Sequence, residues 1–127
     1  MQDFRNLEVW SKAHKLTLDV YRLTEHFPRT EVFGLSSQLR RAAASIATNL
    51  AEGCRRTQGE FGRFLQIAFG SACEVEYQLL LSRDLGFITA EAYDKINAML
   101  LEVKRMLHGL LKRAQRDIRP FEQVAAM

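Results

Sequence analysis

Two stretches of the sequence decide the fold: QLRRAAASIATNLAEG (Gln38–Gly53) and EFGRFLQIAFGSACEVEYQL (Glu60–Leu79). In both, apolar residues recur at steps of three and four, which is the spacing of one face of an α-helix. The first series is Leu35, Leu39, Ala42, Ala43, Ile46 and Leu50, and the second is Phe61, Phe64, Leu65, Ala68, Ala72, Val75 and Leu79. The spacing predicts two amphipathic helices joined by a short loop.

Capping residues mark the ends of these helices. Thr57 and Glu60 have the spacing of a capping box, in which each side chain accepts a hydrogen bond from the other residue's backbone N–H. Glycine commonly ends a helix, so Gly53 and Gly86 are predicted to end the second and third helices. Thr89 is placed to begin a further helix as its N-cap. The start of the second helix is left open, since Thr30 could cap a short lead-in turn and Ser36 or Ser37 could cap a later start.

The same periodicity continues on both sides and predicts a first and a fourth helix. Their apolar faces are Leu7, Trp10, Ala13, Thr17, Val20, Tyr21 and Thr24, and Tyr93, Ile96, Met99, Leu100, Val103, Leu107, Leu110 and Leu111. The predicted helices cover about residues 6–26, 31–53, 57–85 and 89–115, the last ending before Pro120, with a tail at 116–127. Because the connections are short, the simplest architecture is one all-α domain, an up-down-up-down antiparallel four-helix bundle over residues 1–127.

Length and composition exclude several classes of protein. The chain has 127 residues, 47% of them hydrophobic and 26% charged, with a net charge of +3, which is typical of one globular domain. No apolar run reaches the roughly 20 residues of a membrane-spanning helix, and the charged N-terminal residues exclude a signal peptide. Cys54 and Cys73 are predicted to lie about 24 Å apart along a helix, too far for a disulfide. We expect a cytoplasmic protein with no membrane partner.

Several separated segments carry a resemblance to a known family. They are the two stretches quoted above, LEVWSKA (Leu7–Ala13) and FP-x3-VFGL (Phe27–Leu35). In this order the chain resembles the 23S rRNA-intervening-sequence proteins over roughly residues 4–113. The resemblance implies a left-handed bundle that assembles as a ring-shaped homopentamer. It also implies kinship with accessory proteins of diversity-generating retroelements, which look like basic barrels that bind nucleic acid and a reverse transcriptase. It implies no particular molecular activity.

Polar side chains recur beside the apolar faces and form a candidate structural network. They are Gln38, Arg41, Ser45, Asn49 and Glu52 on the second helix, and Glu60, Arg63, Ser71, Glu74 and Gln78 on the third. Counting back through the loop predicts that Arg41 contacts Glu74, and that Arg63 contacts Asn49 or Glu52. Half-buried polar groups need partners, so these residues are predicted to fix the helix register or a subunit contact. A ligand or catalytic role and a solvated surface are the alternatives.

The third helix carries apolar residues around most of its circumference. Those outside its main face are Ile67, Phe69, Tyr77, Leu80, Leu81 and Leu85. A helix that is apolar nearly all round is normally buried on more than one side. A monomeric bundle of this size offers little room for such burial, so the residues themselves predict a subunit interface.

The positive charge is unevenly placed along the chain. In the predicted topology the chain start, the second loop and the chain end share one end of the bundle. The basic residues collected there are Arg5, Arg55, Arg56, Arg63, Lys112, Arg113, Arg116 and Arg119. Such a surface attracts phosphate backbones without reading sequence. The alternative is that these residues only complement helix C-termini and keep the protein soluble.

The sequence shows no catalytic, cofactor or metal site that a motif supports. It contains no Glu-x-x-His motif and no phosphate-binding glycine loop. His14 and His108 are a weak metal signal, and Cys54, Ser36 and Ser37 have no evident base for nucleophilic catalysis. We therefore expect a non-enzymatic homo-oligomer that binds RNA or DNA electrostatically, mainly through Arg55, Arg56, Lys112, Arg113 and Arg116. The alternative is a protein-interaction scaffold.

Overall fold

The chain folds into four α-helices. The computed structural model describes residues 3–126, with the side chains of residues 3–115. Helix α1 spans Glu8–Thr24, α2 Leu35–Gly53, α3 Gln58–Asp84 and α4 Ala90–Ala126, and 3₁₀ turns at Phe4–Asn6 and Arg29–Glu31 precede α1 and α2. The described residues contain no strand. The predicted all-α, four-helix architecture is confirmed.

Hydrogen bonds between α1 and α2 show the directions in which these helices run. The Thr17 hydroxyl donates to the Ala43 carbonyl at 3.2 Å, and the Arg40 guanidinium donates to the Thr24 hydroxyl at 2.7 Å. From the first of these contacts to the second, the residue number increases in α1 and decreases in α2. The two helices are therefore antiparallel.

The remaining helices complete the bundle in chain order. α2 packs against α3, α3 against α4, and α4 against α1. The rings of Phe27 and Phe87 lie 5.5 Å apart, centroid to centroid. This contact brings the α1–α2 and α3–α4 loops to the same end of the bundle.

Aliphatic side chains from all four helices fill the core. Leu16, Leu39, Leu79 and Leu100, one from each helix, have no solvent exposure. Burying a side chain of this size stabilises the fold by about 1.5–3 kcal/mol. The core series predicted for α2 is buried throughout, and those for α3 and α4 are buried or half-buried.

The buried face of α1 is rotated relative to the prediction. Val9 and Leu16 lie in the core although the predicted series omitted them, whereas Trp10 is half-buried and Tyr21 is exposed. Both aromatic side chains lie along the outer seam between α1 and α2, where the guanidinium of Arg40 is 4.7 Å from the centre of the Tyr21 ring. Spacing alone does not separate core positions from seam positions, because amphipathic aromatics suit both.

Hydroxyl side chains cap two helices at their N-termini, as predicted. The capping box predicted at Thr57 is half formed, because among the described residues no hydrogen bond runs from the Thr57 N–H to the Glu60 carboxylate. The Thr57 hydroxyl accepts a hydrogen bond from the Glu60 N–H at 3.4 Å, and the Thr89 hydroxyl accepts one from the Ala92 N–H at 3.1 Å. Each bond satisfies a backbone donor that has no partner inside its helix.

Gly86 ends α3 through a Schellman motif. Its φ angle is +79°, a conformation that costs residues with a Cβ atom more than it costs glycine. The Gly86 N–H donates to the Arg83 carbonyl, and the Phe87 N–H donates to the Ser82 carbonyl, both at 2.9 Å. The prediction that Gly86 closes this helix is confirmed.

Two helix boundaries differ from the prediction. α2 begins at Leu35 rather than near residue 31, because the Glu31 carboxylate in the preceding 3₁₀ turn accepts the Leu35 N–H at 3.2 Å. α4 continues through Pro120 to Ala126 instead of ending near residue 115. The helix can continue because no glycine lies between Gly109 and Pro120. Pro120 itself removes one backbone donor, which does not always end a helix.

Gly53 ends α2 as predicted, but the reason is packing and not backbone conformation. Among the described residues, a positive φ angle occurs at Gly86 and not at Gly53. A Cβ atom on Gly53 would lie 2.8 Å from Cδ1 of Phe61 and 3.0 Å from Cβ of Phe64. The absence of a side chain at Gly53 lets the first turn of α3 approach the end of α2.

We predict that Gly53→Ala destabilises the protein. The added methyl group overlaps Phe61, and overpacking of this kind typically costs about 1–3 kcal/mol in the free energy of unfolding. Urea denaturation followed by circular dichroism measures the change. Gly109→Ala is the control, since nothing lies within 4 Å of its Cβ position, and it is expected to raise stability by up to about 1 kcal/mol. Equal effects at the two sites would contradict the packing role of Gly53.

An ion pair joins α1 to α4. The ammonium group of Lys12 lies 2.8 Å from a carboxylate oxygen of Glu102. The hydrogen bond from Lys12 lowers the pKa of Glu102, and the same bond raises the pKa of Lys12. Both side chains are partly exposed, so solvent and salt screen their attraction.

We predict that this ion pair stabilises the protein at neutral pH and not in acid. The lowered pKa of Glu102 makes its contribution complete above the ordinary carboxyl pKa, and the contribution is lost as the pH falls below about 4. A double-mutant cycle with Lys12→Gln and Glu102→Gln measures the coupling free energy. The coupling should be favourable at pH 7 and absent at pH 3. An unchanged coupling at pH 3 would overturn the assignment.

Candidate nucleic-acid interface

Six exposed basic side chains, from the chain start, the α2–α3 loop, α3 and α4, form a surface that we call the basic end. They are Arg5, Arg55, Arg56, Arg63, Lys112 and Arg113. Phe4 lines an open groove together with Arg55 and Arg56. Arg63 lines a neighbouring depression with residues 111, 114 and 115 of α4. The structure therefore brings together the chain start, the α2–α3 loop and the described part of the α4 C-terminal half.

Local contacts hold two of these arginines. The Arg5 guanidinium donates to the Asp3 carboxylate at 3.1 Å, and this hydrogen bond lowers the pKa of Asp3. The guanidinium of Arg56 lies 5.5 Å from the centre of the Phe64 ring, a cation–π distance. Arg5 is thus ion-paired with Asp3, whereas Arg56 rests on an aromatic ring.

Acidic side chains share the basic end, which the sequence reasoning did not take into account. Asp3 caps the 3₁₀ turn at Phe4–Asn6, and Glu8 is the first residue of α1. Glu52 lies in the last turn of α2, and Glu60 lies in the first turn of α3. Carboxylates favour helix N-termini because of the helix dipole, which accounts for Glu8 and Glu60. The positive charge is consequently concentrated on the α2–α3 loop and on α4 instead of covering the whole end.

Arg116 and Arg119, also predicted to belong to this surface, lie outside the residues whose side chains the structure describes. Their backbone belongs to α4.

Part of the predicted polar network forms between α2 and α3. The hydroxyl oxygens of Ser45 and Ser71 lie 2.8 Å apart. The Asn49 amide donates to the Ser45 carbonyl at 2.8 Å and to the Ser45 hydroxyl oxygen at 3.0 Å. All three side chains are half-buried, so these bonds replace water at the seam and fix the register of the two helices.

The charged members of the network do not pair within the chain. Among the ion pairs of residues 3–115, none joins Arg41 to Glu74 or Arg63 to Glu52. These four side chains are exposed. The predicted positions of these residues along the helix axes agree with the contact between Ser45 and Ser71. Their side chains, however, extend into solvent and not across the α2–α3 pair. The predicted contact of Arg63 with Asn49 is likewise not formed among the described residues, where the Asn49 amide nitrogen donates to Ser45 and Arg63 is exposed.

The network also includes two glutamines, one on α2 and one on α3. Gln38 is exposed. Gln78, in contrast, is buried, and its Oε1 atom has no hydrogen-bond partner among the described residues.

We predict that the hydroxyls of Ser45 and Ser71 are energetically coupled. Removing either one leaves the other half-buried hydroxyl with fewer partners, which costs about 1 kcal/mol in the free energy of unfolding. Replacing both by alanine should cost less than the sum of the two single changes. A double-mutant cycle by chemical denaturation measures this, and strictly additive effects would show that the hydroxyls act independently.

Histidines and cysteines are dispersed in the described part of the chain. The His14 ring stacks on Trp10 with a centroid distance of 5.1 Å, and the His108 ring is 6.3 Å from Phe69. Cys54 is buried and Cys73 exposed, both as free thiols, which confirms that they form no disulfide. Burial raises the pKa of the Cys54 thiol. The described residues contain no group of three or more His, Cys, Asp or Glu side chains placed to hold a metal ion.

The sequence features and the four-helix fold point to one family. The model of the 23S rRNA-intervening sequence protein family matches residues 5–109. The chain belongs to this family. The match covers all of α1, α2 and α3 and about half of α4, so the resemblance inferred from the sequence is confirmed.

A solved structure resembles this chain over most of its length. It is a crystal structure, at 1.70 Å resolution, of a protein with unknown function from the S23 ribosomal protein family of Bacteroides thetaiotaomicron. The two share 28% sequence identity and a TM-score of 0.74, over 82% of this chain and 98% of the other. None of the curated proteins matches the chain. The 23S rRNA-intervening sequence family thus supplies the fold, and the function has to be argued from this chain's own residues.

The helices also bear on the question of a membrane. Across the described residues, no helix is both long enough and apolar enough to cross a bilayer.

Proposed function

We propose that this family member is a non-enzymatic, cytoplasmic homo-oligomer whose basic end binds RNA or DNA through the phosphate backbone. The observation that carries the proposal is the set of six exposed basic side chains that the chain start, the α2–α3 loop, α3 and α4 contribute to one end of the bundle. The pentamer that the family resemblance implies would repeat this surface five times around a ring. The two free cysteines suit a reducing compartment.

Charge neutralisation is the mechanism that this surface supports. Lysine and arginine displace counterions condensed on nucleic acid, and the released ions drive binding without any reading of bases. The aromatic rings near the basic end are Phe4, Trp10, Phe61 and Phe64, and all four are half-buried. Phe4 packs edge-on against Trp10, whose ring stacks on His14, and Arg56 covers Phe64, so these contacts compete with any stacking of bases. The binding should therefore be sensitive to salt and nearly independent of sequence.

The test is a salt titration with labelled duplex DNA and single-stranded RNA, followed by fluorescence anisotropy. The variant Arg55→Gln/Arg56→Gln/Arg113→Gln should bind more weakly, and the slope of log Kd against log salt should fall by about one for each phosphate that the variant no longer neutralises. The matched control is Arg22→Gln/Arg29→Gln/Lys95→Gln, which removes three exposed charges far from the basic end. Light scattering of the same samples establishes that each variant keeps the mass of the wild type.

Two results would overturn the nucleic-acid proposal. One is binding that does not weaken as salt is added. The other is an equal loss of affinity in the variant and in its control, which would reveal a dependence on net charge alone.

A protein-interaction scaffold is the second candidate function. The observation in its favour is the set of large apolar side chains left exposed, among them Phe33 at 97% and Tyr77 at 62%. A reverse transcriptase, the partner that the resemblance implies, would be one such protein. Undiminished binding of a partner protein by the variant that lacks the charges of Arg55, Arg56 and Arg113 would favour this function over the first.

A further inference from the structure

A hollow of about 380 Å³ lies at the end of the bundle opposite the basic end, and we call it the loop hollow. The last turn of α1, the α1–α2 loop and the first two turns of α2 bound it, contributing Thr24, Arg29 and Ser36 among other residues. Small-molecule sites in proteins typically have volumes of about 300–1,000 Å³. The loop hollow therefore has room for a small ligand.

The first turn of α2 brings free hydrogen-bond donors to the loop hollow. A helix begins with N–H groups that have no acceptor inside the helix. The Glu31 carboxylate accepts the hydrogen bond of the first one, the Leu35 N–H. The next two, of Ser36 and Ser37, have no acceptor in the described part of the chain, and both residues line the hollow. The start of this 19-residue helix thus offers an occupant two N–H groups and the positive end of the helix dipole.

The Ser36 hydroxyl is an independent sign of a ligand. Ser36 is only 6% exposed and lines the loop hollow, yet within residues 3–115 its hydroxyl makes no hydrogen bond. The buried hydroxyls of Thr24 and Ser82, in contrast, each donate to the carbonyl four residues earlier. Buried polar groups are nearly always paired. We therefore expect the partner of the Ser36 hydroxyl to be an occupant of the hollow.

Three arginine side chains, Arg29, Arg40 and Arg41, line the same hollow. Arg40 is held in position, since its Nε donates to the Thr24 hydroxyl at 2.7 Å and its Nη2 donates to the Tyr21 carbonyl at 3.2 Å. Its Nη1 remains available to a ligand. Arg29 and Arg41 are exposed, and neither takes part in an ion pair with another described residue. A fixed guanidinium and two unpaired ones therefore surround the hollow.

One carboxylate opposes these positive charges. Glu25 also lines the hollow and is exposed, so solvent screens its charge. The Glu31 carboxylate nearby is occupied by the Leu35 N–H. Three guanidinium groups outnumber the single carboxylate that lines the hollow, and the helix dipole adds to them. The balance of charge favours an anionic ligand.

The donors suit a phosphate group better than a carboxylate. Two N–H groups, a hydroxyl and three guanidinium groups exceed what the two oxygens of a carboxylate can accept. A phosphate group has three strong acceptor oxygens, and arginine binds them in pairs of parallel hydrogen bonds. Tyr21 and Val32 add apolar surface to the wall of the hollow. This surface fits the organic part of a small phosphomonoester.

We propose that the loop hollow binds a phosphate group, either as free phosphate or as the head of a small phosphomonoester. The N–H groups of Ser36 and Ser37 and the Ser36 hydroxyl donate to its oxygens, the usual way in which a helix N-terminus holds an anion. Arg40 donates from its fixed position, and Arg29 and Arg41 donate from the exposed side. The site lies at the other end of the bundle from the basic end, so it does not rest on the proposed function.

The first test is isothermal titration calorimetry of the full-length protein with inorganic phosphate, glycerol 3-phosphate and acetate at constant ionic strength. Both phosphates should bind, and acetate should not. Tighter binding of glycerol 3-phosphate assigns the site to a phosphomonoester, and tighter binding of inorganic phosphate assigns it to the free ion. Acetate binding as tight as that of the phosphates, or no binding of either phosphate at millimolar concentration, would overturn the proposal.

The second test compares two variants that each lose two exposed arginine charges. Arg29→Gln/Arg41→Gln should weaken phosphate binding by about tenfold or more, because two charge-assisted hydrogen-bond donors are removed. Arg55→Gln/Arg56→Gln, the matched control at the basic end, should bind phosphate like the wild type. An equal loss in both variants would show that phosphate responds to net charge alone.

The same pair of variants separates this inference from the proposed function. Arg29→Gln/Arg41→Gln should keep its affinity for nucleic acid, whereas Arg55→Gln/Arg56→Gln should lose part of it. Failure of phosphate to bind would leave the nucleic-acid proposal standing, and failure of nucleic acid to bind would leave the loop hollow standing.

The third test places a negative charge in the site without weakening the fold. Ser37→Asp puts a carboxylate in the first turn of α2, where the helix dipole stabilises it, and there it repels a phosphate group. Phosphate should raise the unfolding temperature of the wild type, as any ligand of the native state does, and should leave that of Ser37→Asp unchanged. Without phosphate, Ser37→Asp should unfold no earlier than the wild type, which excludes misfolding. A phosphate affinity equal to that of the wild type would contradict the assignment.

Discussion

The close approach of α2 to α3 is the constraint on which the rest of the structure depends. At Gly53 a methyl group would overlap Phe61, and more than two turns further along the hydroxyls of Ser45 and Ser71 meet at 2.8 Å. Both contacts require small residues at fixed positions, so they set the register of the two helices. α1 and α4 pack on either side of this pair, and the heights of their residues follow from the same register.

The basic end is a consequence of that register. A loop of four residues, 54–57, separates α2 from α3, so Arg55 and Arg56 have to stand beside the first turn of α3. The antiparallel course of α4 then returns Lys112 and Arg113 to the same end. Carboxylates come with them, since helix N-termini favour Glu8 and similar residues. The charge at this end is therefore set by where each side chain lies and not by the net charge of the chain.

Local signals made most of the fold predictable from the sequence. The ends of α3 could be placed because the hydrogen bonds of Thr57 and Gly86 join residues close in the chain. The rotation of α1 could not, because Trp10 and Leu16 fit a helical period equally well while only Leu16 lies in the core. Counting residues predicted the height of Arg41 correctly, yet height carries no information on which side of a helix pair a long side chain points.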